Sequence, residues 1–206
     1  MRDGIAFADR IPVIEGVATG LEPSAALRAE ARNGSPFSAL AARLFAAAEP
    51  ARAVVFLSCK PGEGVTRTVT AIDEFLSSTM KCSSVVLPAE ECLRGLPAGR
   101  GERNYGSADA AADRTHNAAM GERLALLRRR HRAVLIDAGA IDGAPYVLDL
   151  ASHVDGFVLV VAAGERDRGE IRRTVEMIEA AHGRVFGIVL NKRQYPIPNW
   201  LYRFVR

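Results

Sequence analysis

This chain has little cysteine, with only Cys59, Cys82 and Cys92 among its 206 residues. The three show no C-x-x-C spacing, have no histidine pair nearby, and would leave one thiol over if two of them paired. These absences exclude the usual zinc patterns and a disulfide-based scaffold. We therefore expect a chain that resides in a reducing cytoplasm and holds no structural metal.

The sequence also lacks long apolar runs and a strong excess of charge. No stretch approaches the ~18–20 apolar residues of a membrane span, and no N-terminal segment has the pattern of a signal peptide. The formal net charge is only +3, although the pI is about 9.0, so we expect no nucleic-acid partner. The arginine-rich run at 128–132 is expected to cover the last carbonyls of a helix that begins near Asn117.

Apolar residues make up 49% of the chain, which is enough for one substantial core. Five short runs are continuously apolar, as is typical of parallel strands covered on both faces. They lie at 53–58, 84–87, 133–136, 156–161 and 185–190. Segments with helical spacing lie between them, at 65–76, 117–132 and 169–181. The sequence predicts an α/β fold, with a doubly wound, mostly parallel sheet and helices on both faces.

Segments of different composition flank and interrupt this domain. Residues 1–34 show no periodicity and are interpreted as a flexible N-terminal arm, and residues 35–206 as one domain that opens with a helix over 36–48. That helix is expected to pack on the domain or on a neighbouring subunit. A mobile insertion is predicted at 95–114, and an aromatic and basic tail occupies 195–206. Its Trp200, Tyr202 and Arg203 are candidates for contact with a membrane interface or a partner, or the tail could cover the domain's own core.

The segment SCKPGEGVT, at 58–66, carries the chemical signal of the chain. A strand, a Gly-rich turn and a helix in this order are the context of a phosphate-binding loop, G-x-x-x-x-G-K-[ST]. Backbone N–H groups of such a loop surround the phosphate oxygens, its lysine neutralises them, and its Ser/Thr hydroxyl holds Mg²⁺. Here Cys59 occupies the first glycine position and Val65 the lysine position. The sequence therefore predicts a loop that keeps its backbone cradle and has lost its cation.

Several segments together make the chain resemble the bacterial tyrosine kinases over roughly residues 36–206. They are the loop at 58–66, Val134-Leu135-Ile136-Asp137, the run at 155–161, and 186–192 with its Leu190-Asn191-Lys192 ending. That family has a P-loop NTPase fold, shared with the partition and division-site ATPases, and works with a membrane polysaccharide co-polymerase in capsule, exopolysaccharide or holdfast synthesis. The resemblance implies a P-loop NTPase-type sheet, a cytoplasmic location peripheral to the inner membrane, a co-polymerase partner, and a homo-oligomer as one option.

The resemblance also implies a site for ATP or ADP with Mg²⁺. Nucleotide contacts would come from Lys60, Gly62, Glu63, Gly64, Thr66, Arg67 and Asn191. Thr66 and Asp137 would hold the Mg²⁺, and Asp137 would be the catalytic carboxylate of an active enzyme. Four of these residues have a structural alternative: Lys60 is then an exposed loop lysine, Thr66 a helix cap, Asn191 a turn residue, and Asp137 a structural residue at the strand end.

The departures from the family fall on the chemistry. Val65 replaces the loop lysine, and the family's Asp-x-Asp aligns with Pro88-Ala89-Glu90, where Glu90 could replace only part of the carboxylate pair. The family's Asp-Thr-Pro-Pro appears as Asp137-Ala138-Gly139-Ala140, and the C-terminal tyrosine cluster is reduced to Tyr195 and Tyr202.

The sequence is compatible with three functions. The leading hypothesis is a degenerate, kinase-like protein that acts as a regulatory or binding partner of a polysaccharide co-polymerase. The alternative is an active tyrosine autokinase of the same pathway that uses Lys60 or a partner's residue in place of the missing lysine. The third is a scaffold of the partition-ATPase fold that has no link to polysaccharide.

Overall fold

A computed structural model of the chain describes residues 13–14, 36–92, 110–164 and 167–192. Its strands are β1 (Val13–Ile14), β2 (Ala53–Ser58), β3 (Ser84–Pro88), β4 (Ala133–Ala140), β5 (Gly156–Ala162) and β6 (Val185–Asn191). Its α-helices are α1 (Pro36–Phe45), α2 (Val65–Ser78), α3 (Ala89–Cys92), α4 (Ala110–Arg130) and α5 (Arg168–Ala180). Two 3-10 helices, Ile141–Gly143 and Pro145–Ser152, connect β4 to β5.

The six strands form one sheet in the order β1-β6-β5-β2-β4-β3, and every neighbouring pair is parallel. Parallel neighbours require crossover connections, which the helices provide. The strand β2 lies between β4 and β5. After β2 the chain crosses to β3 at one edge of the sheet, whereas β5 and β6 lie on the other side of β2. The predicted α/β fold with a doubly wound parallel sheet is confirmed.

Two apolar clusters cover the two faces of the sheet because the side chains of each strand alternate in direction. One face of β2, with Val54 and Phe56, packs under α1 and α2. The opposite face, with Val55 and Leu57, packs under α4, α5 and the second 3-10 helix. Every residue of β2 is buried, which explains why its sequence is continuously apolar.

The first predicted helix was expected to pack either on the domain or on a neighbouring subunit. Leu40, Leu44 and Phe45 of α1 are buried in the same cluster as α2. This helix therefore packs on the domain's own core. It ends at Phe45, short of the predicted residue 48, and Ala51 N donates a hydrogen bond back to Leu44 O (2.9 Å).

Other boundaries of the prediction were wrong by several residues. The helix α4 begins at Ala110 instead of near Asn117, so residues 110–114 of the predicted mobile insertion are helical. Residues 13–14 of the predicted arm form β1, which pairs with β6. The strand β4 continues past residue 136 to Ala140. The rest of the predicted arm, of the insertion and the whole tail at 195–206 lie outside the described residues. Within the described part of the chain, no helix is both long and apolar enough to cross a membrane.

Candidate functional site

The Gly-rich loop lies at the carboxyl edge of the sheet, between the end of β2 at Ser58 and the start of α2 at Val65. Because β2 is central and the connections diverge on either side of it, this is the position where doubly wound sheets bind ligands. The ends of β4, β5 and β6 meet the loop at the same edge. The residues that follow those three strands are therefore the neighbours of the loop.

Two glycines give the loop its shape. Gly62 has φ 79° and Gly64, the N-cap of α2, has φ 96°, a left-handed conformation that a side chain disfavours. A Cβ at Gly64 would lie 2.1 Å from Asn191 Nδ2, so no other residue fits without movement there. Gly64 supplies no side-chain cap, and the N–H groups of the first turn of α2 point toward the loop. These two glycines turn the chain from β2 into α2, and the phosphate cradle stays a prediction.

Val65 stands where a phosphate-binding loop carries lysine, and its side chain belongs to the core. It is 5% exposed and lies in the cluster that includes Leu40, Phe56 and Val69. A valine side chain offers neither charge nor a hydrogen-bond donor. The first residue of α2 therefore contributes packing and no cation.

Lys60, the candidate replacement for that cation, forms an ion pair with Asp142 in the 3-10 helix after β4. The side chains are 37% and 56% exposed, respectively. An exposed pair of this kind contributes about 0–1 kcal/mol, so the pairing restrains the ammonium only weakly. Sequence reasoning missed Asp142, because nothing in the local pattern marks a carboxylate so far along the chain as a partner of the loop.

Glu63 is buried beneath the loop and holds it to the sheet. Its side chain is 1% exposed; Oε2 accepts a hydrogen bond from Lys60 N (2.9 Å) and Oε1 accepts one from Ala162 N (3.1 Å). The carboxylate thus joins the beginning of the loop to the end of β5. Its predicted nucleotide contact would have to come from the backbone, since the side chain is turned away from solvent.

Asn191, at the end of β6, is the second tie on the loop. Its Nδ2 donates a hydrogen bond to Glu63 O (2.8 Å), while its own carbonyl accepts one from Ala163 N (2.8 Å). The amide therefore fixes the loop backbone directly under Gly64. The predicted adenine contact of Asn191 stays a prediction, but the structure adds a positioning role that the turn-residue alternative did not contain.

The remaining candidates differ in what they contact. Asp137 is half-buried in β4, and its Oδ1 accepts a hydrogen bond from Gly139 N (3.0 Å). Thr66 and Arg67 are exposed on the first turn of α2. Glu90 is exposed on α3, which follows β3 at the edge of the sheet. Burial raises the pKa of Tyr146, and the negative charge of Glu90 raises it further. The structure thus brings Asp137 to the loop edge, whereas one strand separates Glu90 from β2.

Cys59 fills the first glycine position of the loop as a small core residue. It is 3% exposed, and its Sγ lies 3.4 Å from Thr174 Oγ1 on α5. Next to it, Ser58 Oγ lies 2.8 Å from Lys60 O and 3.3 Å from Gly139 O, so its hydroxyl donates within the protein. Thr174 gave no signal in the sequence because it is distant along the chain.

The loop therefore fits a phosphate only in part. Its backbone and the helix start suit an anion, since unpaired N–H groups and the helix dipole both favour negative charge. Phosphoryl transfer needs positive charge at the phosphates; here the lysine position is apolar, and Lys60 is paired with a carboxylate. No group of three or more His, Cys, Asp or Glu side chains suited to a metal occurs among the described residues. Tyr195, Trp200, Tyr202 and Arg203 lie outside the described residues.

Comparison with known proteins gives structural matches alone. Neither a family model nor a curated protein sequence matches the chain. The chimerical protein CapA2B2 matches with a TM-score of 0.60 at 15% identity, over 90% of this chain and 96% of that one. The BceF tyrosine kinase domain matches with a TM-score of 0.58 at 18% identity, over 92% and 97% of the two chains.

A third match is the kinase domain of the Escherichia coli tyrosine kinase ETK, with a TM-score of 0.55 at 13% identity. It covers 72% of this chain and 71% of the kinase domain. At such low identity the likeness establishes the fold. The chain therefore shares the fold of bacterial tyrosine kinase domains, as its sequence resemblance predicted.

Proposed function

We propose that this chain is a degenerate, kinase-like protein that has lost most or all phosphotransfer and acts as a regulatory or binding partner of a membrane polysaccharide co-polymerase in exopolysaccharide, capsule or holdfast synthesis. The observation that carries the proposal is Val65. Its side chain is part of the core, while the loop before it keeps the left-handed glycines Gly62 and Gly64. The fold persists, and the charge needed for chemistry is missing.

The expected loss can be estimated from the missing contact. A hydrogen bond to a charged group contributes about 1.5–3 kcal/mol, which corresponds to roughly tenfold to over a hundredfold in affinity. Phosphoryl transfer is expected to lose more, because its catalysis consists almost entirely of positioning and electrostatic stabilisation. Both losses act on the same loop, and Lys60, the candidate replacement for the missing cation, is paired with Asp142.

Calorimetric titration of the purified protein with ATP and ADP in Mg²⁺ tests the proposal. We expect weak or no binding by the wild type and a gain of tenfold or more in Val65→Lys. Val65→Met is the matched control, because it lengthens the side chain without adding charge and should bind like the wild type. Thermal unfolding of both variants shows whether the core tolerates the change.

The second candidate is an active autokinase that uses Lys60. The observation in its favour is that the Lys60 side chain is 37% exposed at the loop edge and that its salt-bridge partner, Asp142, is itself partly exposed. Transfer of label from radiolabelled ATP to tyrosine by the wild type, lost in Lys60→Met and in Asp137→Asn, would establish this candidate and overturn the first. The assay is run with and without the cytoplasmic tail of a co-polymerase, since silence in both conditions supports the degenerate function.

A further inference from the structure

The edge of the sheet opposite the loop carries a group of exposed cations. Arg52 precedes β2, Lys81 precedes β3, and Arg129, Arg130 and Arg132 lie at the turn between α4 and β4. All five side chains are exposed. Because parallel strands all begin at the same edge, these residues from three separate segments meet there. We call this group the basic edge.

Contacts between the three segments hold the basic edge together. Arg132 N donates a hydrogen bond to Ser83 O (2.8 Å), and Ser83 Oγ lies 3.2 Å from His131 Nδ1. Burial raises the pKa of Cys82, and the charges of Arg132 and Arg52 oppose that rise, so both arginines lie near the same thiol. The cations therefore form one continuous surface.

The sequence predicts that the arginine run covers the last carbonyls of its own helix. The structure assigns that role to Arg52, whose Nη2 donates to the carbonyls of Arg128 and His131. Arg128 in turn pairs with Asp155 (3.1 Å). These contacts involve the side chains of Arg52 and Arg128; among the described residues, none of them involves the side chain of Arg129, Arg130 or Arg132.

Few carboxylates compete for these cations. Asp155 accepts hydrogen bonds from Arg52 N and Ala53 N (both 2.6 Å), and Asp73 accepts one from Ser84 Oγ (2.5 Å). Among the described residues, no carboxylate forms a salt bridge with Arg129, Arg130 or Arg132. Glu49 is exposed and close in sequence to Arg52, but one carboxylate cannot neutralise five cations. The surface has a net positive charge.

An apolar side chain stands within this charged surface. Leu126 on α4 is 55% exposed, more than either Val86 or Met177, the other large exposed apolar residues of the described chain. It precedes Arg129 and Arg130 by one helical turn, so the three share a face of the helix. An apolar residue beside arginines suits a membrane interface, where the leucine enters the acyl boundary and the guanidinium groups stay with the phosphates.

We propose that the basic edge docks this protein on the anionic headgroups of a phospholipid membrane. Guanidinium groups match phosphate oxygens in a bidentate manner, and the spread of the five cations over three segments suits a surface of many phosphates better than one small anion. The loop after β2 lies at the opposite edge of the sheet and would face away from the membrane. The docking is independent of nucleotide chemistry and holds whether or not the loop binds ATP.

Flotation of the full chain with vesicles tests the proposal. We expect binding to vesicles that contain phosphatidylglycerol, release at high salt, and no binding to phosphatidylcholine alone. Arg129→Gln/Arg130→Gln should weaken binding about 30-fold, since each cation near an anionic surface contributes about a fivefold gain in affinity. Arg168→Gln/Arg173→Gln on α5 is the matched control, because it removes two exposed helical arginines elsewhere and should bind like the wild type.

Three results would overturn the proposal. Equal losses in both double variants would indicate a nonspecific charge effect. Unchanged binding in both would place the anchor elsewhere, for example in the tail at 195–206. Failure to bind vesicles, combined with binding of polyglutamate or RNA through Arg129 and Arg130, would identify a macromolecular polyanion as the partner. Circular dichroism of each variant excludes unfolding as the cause of any loss.

Discussion

The substitution Glu63→Gln probes the buried carboxylate that ties the loop to the sheet. The native side chain accepts hydrogen bonds from the backbone N–H groups of Lys60 (2.9 Å) and Ala162 (3.1 Å) at 1% exposure. Glutamine keeps one acceptor oxygen and turns an NH₂ group toward the other N–H. One buried donor is then left unsatisfied, and the remaining bond loses its charge.

The magnitude follows from those two contacts. A hydrogen bond to a charged group is worth about 1.5–3 kcal/mol and a neutral one about 0.5–1.5, so we expect the free energy of unfolding to fall by about 2–4 kcal/mol. This is a large fraction of the ~5–15 kcal/mol typical of a domain. Urea denaturation measures the change, and amide hydrogen exchange at Lys60 and Ala162 should become faster in the variant.

The control is Glu176→Gln on α5, which makes the same chemical change at an exposed position. It should alter the free energy of unfolding by no more than about 0.5 kcal/mol. If Glu63→Gln also stayed within that limit, the carboxylate would not support the loop, and the reasoning from its burial and its two donors would be refuted.

Three further results are expected. Gly64→Ala should lower the free energy of unfolding by more than about 1 kcal/mol, because a Cβ would lie 2.1 Å from Asn191 Nδ2. In urea denaturation, the double variant Gly64→Ala/Asn191→Ala should lose less free energy of unfolding than the two single variants lose together. Burial raises the pKa of the Cys92 thiol to about 11, so iodoacetamide should modify it only after unfolding, as mass spectrometry can show; rapid labelling of the folded protein would contradict this. Burial, and then the charge of Arg128, lower the pKa of His153 below its usual 6.5, so the contribution of the neutral imidazole to stability is complete above pH 6.5 and is lost as the pH falls below it. Below pH 6.5, the free energy of unfolding of His153→Gln should therefore depend less on pH than that of the wild type. Equal pH dependence of the two proteins would argue against the shift.

The strands were predictable because burial on both faces requires continuous apolar runs. All five predicted runs are strands, and β2 matches the prediction at both ends. The prediction erred where pairing extends a strand beyond its apolar part. Ala140 belongs to β4 because it pairs with Ser58, although the residues before it are polar or small. The start of α4 at Ala110 was missed because its first turns carry no apolar stripe.

The candidate site was predictable in position but not in its contacts. Glycine spacing after a strand located the loop, and Gly64 has the left-handed backbone that such spacing indicates. The role of Glu63 was not visible, because a glutamate in a loop is ordinarily exposed and only the neighbouring end of β5 turns it inward. The tie from Asn191 to the loop has the same origin, since β6 becomes a neighbour of the loop only in the folded sheet.

The sequence by itself determined the parallel α/β architecture, the Gly-rich loop and the valine at residue 65, because apolar runs, glycines and the identity of residue 65 are local properties. The tertiary structure decided that Lys60 pairs with Asp142, 82 residues away, and that Asn191 holds the backbone of Glu63, 128 residues away. It also decided that Arg52 covers the end of α4, where Arg129 and Arg130 are exposed. These contacts join residues distant in the chain, and only the folding of the sheet brings them together.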